Sequence, residues 1–162
     1  MLRAATGWLE LGDHLSAFEE LERLPQEKRT HPDVLKIRYE IYAKAGKWES
    51  AFELAEGLSR LVPDEVTAFV WRSCAARRMP GGSVERALEL LSDVANDFPD
   101  EPIVPFNLAC YNCQLGKLTE ARSWLLIAFD VATKQNAARE WKLQAIDDTD
   151  LEPLWEEIRG LK

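Results

Sequence analysis

Three thiols and two imidazoles are the side chains best suited to metal or nucleophilic chemistry in this chain of 162 residues. Cys110-x-x-Cys113 has the spacing of half a zinc site, in which two thiolates bind one ion. No second pair accompanies it, and Cys74, His14 and His31 lie far away in sequence. Cys110 and Cys113 also fall inside a predicted helix, where a cysteine acts as a small buried apolar residue. An odd cysteine count argues against a disulfide framework. The expectation is no metal and no cofactor. Glu19, Glu20, Glu85, Glu89, Glu156 and Glu157 sit at exposed helical spacing and read as solvated faces, not acid–base pairs. Pro80-Gly81-Gly82 lacks the flanking pattern of a phosphate loop, and there is no serine elbow and no metal-binding His pair. These residues predict that the chain is not an enzyme.

Composition narrows the class. Hydrophobic residues make up 46% of the chain, enough for one domain spanning 1–162 with a sizeable core. No run approaches the roughly 18 apolar residues of a membrane span. Residues 1–15 carry one arginine and no apolar block, unlike a signal peptide, so a cytoplasmic location is expected. The formal charge of −8 opposes nucleic acid, whose phosphates need a basic surface.

The stretch from Phe106 to Phe129 shows which elements position these residues. Leu108, Ala109, Leu115, Leu118, Ala121, Leu125 and Ala128 recur at three- and four-residue spacing on both sides of Gly116, as two helices joined by a tight turn require. Helices joined so closely lie antiparallel. The same turn-then-alanine signature occurs at Gly12 to Ala17, Gly46 to Ala51, Gly82 to Ala87 and Gly116 to Ala121. The alanines are 34, 36 and 34 residues apart. Pro63 and Pro99 mark boundaries, because proline cannot continue a helix. Met79-Pro80-Gly81-Gly82 accounts for the longer third period.

These residues resemble the tetratricopeptide repeat, a helix-turn-helix unit of 34 residues. Leu35, Tyr39, Tyr42, Gly46, Trp48, Ala51, Ala55, Leu58 and Pro63 match its pattern best. Ser73 departs from it, standing where a small apolar residue is usual, and the first unit is short. The resemblance covers about 1–129, in units 1–31, 32–65, 66–101 and 102–135. It implies an all-α, right-handed superhelix of stacked hairpins. Each hairpin buries its stripe against its neighbours, with alanine where two helices cross closely.

The resemblance also implies a concave groove lined by the first helix of each pair. The groove stripe is Lys36, Glu40 and Lys44 in the second unit, then Val70, Trp71, Cys74, Arg77 and Arg78 in the third. Phe106, Asn107, Cys110 and Gln114 continue it in the fourth. Tryptophan and arginine concentrate binding energy at interfaces; Trp71 and Phe106 equally suit a core between repeats. Some relatives clamp a C-terminal carboxylate with lysine and asparagine. Here Glu40 stands where the asparagine is needed, so that function does not carry over.

After Phe129 the signature stops. Residues 136–146 read as another helix. Leu151, Leu154, Trp155, Ile158 and Leu161 form an amphipathic stripe behind an acidic break of N-caps, Asp147 to Asp150. The tail 136–162 reads as a C-terminal cap on the last repeat, or as a docking helix for another protein. The functional expectation is a scaffold or adaptor that holds a peptide or partner helix. The alternative is a self-association module that forms a homodimer through the groove or the tail.

Overall fold

Left-handed turns set the architecture. In the computed structural model, which describes residues 2–161, Gly12, Gly46 and Gly116 adopt φ of 81°, 68° and 72°. Each closes a helix in the same way. The amide after the glycine reaches back to the carbonyl five residues earlier: Asp13 to Trp8, Lys47 to Tyr42, Lys117 to Asn112. The glycine amide bonds the carbonyl three residues before it. This paired closure, the Schellman motif, satisfies the orphan carbonyls of the helix end and reverses the chain. Asn136, with φ of 57°, builds the same closure through Ala137 N–H to the Ala132 carbonyl. Asparagine is one of the few residues that enters this region readily. The tail's first helix therefore starts at Ala138, two residues after the expected start.

Among the described residues there are ten α-helices and no strand. The helices gather into two compact units, one up to Gly82 and one from Ser83. The first holds α1 (Leu2–Glu10), α2 (His14–Glu22), α3 (Pro32–Lys44), α4 (Trp48–Leu61) and α5 (Val66–Ala76), each packed on the next. Asp13 caps α2 by accepting Ser16 N–H at 3.0 Å. His31 caps α3 through Nδ1, which accepts Asp33 N–H. That explains a histidine outside any metal site. Ala5, Leu9, Ala17, Leu21, Val34 and Ile41 form one buried cluster. Tyr39, Ala51, Ala55 and Ala75 form another, with Trp48, Phe52 and Trp71 against it. Ser73 is fully buried and donates to the Val70 carbonyl at 2.8 Å, so its hydroxyl costs little in an apolar position.

The longer third turn divides its task between two glycines. Gly81 takes the positive φ of 73°. At Gly82 a Cβ would lie 1.9 Å from the Ala76 carbonyl oxygen, so backbone packing there requires glycine.

The second unit holds α6 (Val84–Ser92), α7 (Ile103–Gln114), α8 (Leu118–Lys134), α9 (Ala138–Asp147) and α10 (Trp155–Gly160), again packed in chain order. The last amphipathic stretch is not one α-helix. It runs as a 3₁₀-helix over Thr149–Leu154, containing Pro153, and then becomes α10. Leu151 and Leu154 share a side of the tighter turn, and Ile158 follows. All three join Phe106, Ala109, Cys110, Cys113, Ala121 and Leu125 in one buried cluster. The signature alanines Ala17, Ala51, Ala87 and Ala121 are all 0% exposed, so each lies where even one added methylene would meet packed atoms. No helix among the described residues is long and apolar enough to cross a membrane.

Candidate functional site

The expected groove residues of the first unit lie on α3 and α5. On α3, Lys36 pairs with Glu65 at 2.5 Å, whereas Glu40 and Lys44 are exposed. On α5, the Trp71 ring stacks on Tyr39 with centroids 4.2 Å apart and planes 3° from parallel. The Tyr39 hydroxyl donates to the Trp71 carbonyl at 2.9 Å. Burial pushes the Tyr39 phenol well above its ordinary value, and Cys74 adds to this while Arg78 opposes it. The phenol is therefore a permanent donor. Arg78 lies 5.0 Å over the Trp48 ring and donates to the Cys74 carbonyl at 3.0 Å. Trp71, Cys74 and Arg77 are half-buried, Arg78 is exposed, and Val70 is buried and faces inward.

Tyr39 lies buried and fixes the half-buried Trp71 ring, which with the neighbouring guanidinium is the part of this pair able to touch apolar and anionic groups. The sequence pattern places Trp71 on this face but leaves Tyr39 and Trp48 to the hairpin core. The aromatic spacing across α3, α4 and α5 is the signal that links them.

The second unit treats its stripe differently. Phe106 is 2% exposed and meets Trp141 of α9 at 5.2 Å, with the rings tilted by 59°. Asn107 donates to the Ile103 carbonyl at 2.8 Å, within its own helix. Cys110 is buried, its Sγ 3.8 Å from Asp148 Oδ2. Gln114 Nε2 donates to Asp150 Oδ1 at 2.6 Å. Phe106, Cys110 and Gln114 thus face the chain's own tail. Phe106 and Cys110 offer no open surface, because Leu151, Leu154 and Ile158 share their core.

Polar contacts hold that tail in register. Trp155 Nε1 donates to the carbonyls of Ala145 and Asp148, each at 3.1 Å. Asp148 Oδ1 accepts Asp150 N–H at 2.9 Å, the N-cap expected of the acidic break. Arg122 grips Glu157 with two bonds of 2.6 Å. The guanidinium holds the Glu157 carboxyl below its ordinary value, chiefly through the side-chain hydrogen bond. The pairing of Asp148 and Asp150 with α7 is invisible in sequence, since 38 residues separate Cys110 from Asp148. A shallow groove of about 570 Å³ opens between α9 and α10, with Arg139, Lys142 and Arg159 around Leu143, Ile146 and Leu161. No protein-family model matches the sequence, and no curated protein matches it.

Proposed function

We propose that the chain is a non-enzymatic scaffold of tetratricopeptide type, working in the cytoplasm, whose hairpins stack as a right-handed superhelix and hold a partner protein. The 34-residue spacing, the repeated Schellman turns and the buried alanines support that architecture. The partner-facing surface is the α3–α5 face, made of Glu40, Lys44, Trp71, Cys74, Arg77 and Arg78. The observation that carries this reading is the Tyr39–Trp71 stack with Arg78 over Trp48. It presents aromatic surface and positive charge on a chain of net charge −8, which favours an acidic peptide bearing an apolar anchor.

The test is an array of acidic peptides probed with the protein and with an Arg77→Glu, Arg78→Glu variant. Loss of a hot-spot contact costs about 2 kcal/mol or more, so affinity should fall by roughly thirtyfold, with the helical circular dichroism unchanged. Equal binding by both proteins removes this face from consideration.

The second reading is self-association through the tail. The exposure of Leu143 at 54% and Leu161 at 39% beside the α9–α10 groove favours it. A dimer that persists on dilution in light scattering, and is lost in Leu143→Glu, would support this reading over the first.

A further inference from the structure

Two segments far apart in sequence bring a thiol and two carboxylates to one point. Cys110 comes from α7, and Asp148 and Asp150 come from the turn that opens the 3₁₀ segment. One donor atom of each lies within 4.8 Å of the other two, and Cys110 Sγ is 3.8 Å from Asp148 Oδ2. Around four-coordinate Zn²⁺, sulfur at about 2.3 Å and oxygen at about 2.0–2.2 Å stand roughly 3.5 Å apart. The Cys110–Asp148 separation is within a few tenths of an ångström of that edge.

The surroundings resemble the support that metal ligands receive from a second layer of hydrogen bonds. Gln114 holds one oxygen of Asp150, and the Asp150 amide holds one oxygen of Asp148. Each carboxylate is thereby fixed in direction. None of the three cysteines is in a disulfide. Cys113 lies one helical turn from Cys110, on the same side of α7, and is also buried. Asp148 and Asp150 set two carboxylates beside the Cys110 thiol, and a divalent cation would offset their charge.

We propose that Cys110, Asp148 and Asp150 form a binding site for a divalent cation of borderline softness, Zn²⁺ by preference, which fastens the tail to α7. One thiolate disfavours Mg²⁺ and Ca²⁺, and two carboxylates disfavour Cu⁺. The fourth position goes to water. On binding, Cys110 gives its thiol proton to solvent, the S–H bond is replaced by S–Zn, and nothing is oxidised or reduced. Affinity therefore rises with pH. Cys110 finds its partners among aspartates of the tail rather than in Cys113 or a second cysteine pair.

Chelator-treated full-length protein is titrated with ZnCl₂ by calorimetry, and with CoCl₂ while the thiolate-to-cobalt charge-transfer absorption is followed. One ion per chain is expected, with heat that depends on the buffer's proton-uptake enthalpy. Cys110→Ser should abolish the charge-transfer band, and Asp148→Asn should weaken Zn²⁺ binding by at least about tenfold. Cys74→Ser should change neither. Cys110→Ser replaces one atom and keeps the fold, so circular dichroism of that variant separates lost binding from lost structure. The proposal is overturned if micromolar Zn²⁺ gives no heat. It is also overturned if the cobalt band survives in Cys110→Ser, or if it disappears in Cys74→Ser.

Discussion

Positions 36, 40 and 44 of α3 and positions 106, 110 and 114 of α7 occupy the same register. Gly46 and Gly116 close the two helices in the same way. One helix presents Lys36, Glu40 and Lys44, the other Phe106, Cys110 and Gln114. On α3 the stripe ends in one ion pair and two exposed side chains. On α7 it is sealed by Trp141, Leu151 and Leu154. The hairpins are built alike; what differs is the segment that reaches the outer face of the first helix. The repeat signature specifies the turn and the crossing, and leaves that face to be covered or left open by other parts of the chain.

The largest effect should come from the faces. Phe106→Ala is expected to cost about 3–5 kcal/mol, and Lys44→Ala, on the open stripe of α3, to stay within about 0.5 kcal/mol. Urea unfolding measures both. Similar small values would show that the tail does not seal α7 in solution.

The crossings should erase the difference. Ala51→Leu and Ala121→Leu both enlarge a fully buried site, and each is expected to destabilise by about 1–3 kcal/mol through overpacking. If only one of them lowers the melting temperature, the two hairpins are not built alike.

Turn chemistry sharpens the same point with smaller numbers. Gly116→Ala and Gly46→Ala place a Cβ in the left-handed region and should each cost about 1 kcal/mol. Gly57, inside α4 with nothing within 4 Å of a built Cβ, should respond with the opposite sign. Gly57→Ala is expected to stabilise by about 0.5–1 kcal/mol. Thermal melts of the three variants decide whether φ or space governs these glycines.

The smallest effect lies in the Arg122–Glu157 clasp, which is exposed. The Glu157 carboxyl is held below its ordinary value of 4.5. A carboxyl that titrates lower when folded than when unfolded adds stability above its unfolded value. That contribution is lost as pH falls through the folded value. In Arg122→Gln the Glu157 midpoint, followed by NMR, should move up toward 4.5. An unmoved midpoint would show that the clasp does not form.

The hairpins were legible because their signals are local: a glycine at C′, an alanine at the crossing and apolar residues at helical spacing. The stripe that faces away from the hairpin partner is a matter of long-range pairing, which periodicity does not encode. Its chemistry still left a trace. Phe106 and Cys110 are apolar where Lys36 and Glu40 are charged, which marks α7 as the helix to be covered. Asp148 and Asp150 were legible only as members of an acidic break that offers N-caps. Their placement beside α7 depends on Schellman closure at Asn136 and on the 3₁₀ segment, which together return the chain to that helix. Neither Asn136 nor Pro153 announces that path by itself.

The tail also carries its own optical reporter. Trp124, Trp141 and Trp155 all border the cluster that Leu151, Leu154 and Ile158 complete, and Trp155 spends its indole N–H on two carbonyls of the tail turn. Detachment of the tail would wet three of the chain's six indoles at once and shift their emission to the red. Trp8, Trp48 and Trp71, all in the first unit, would keep their colour. Fluorescence of the unlabelled protein can thus time the release and return of this segment.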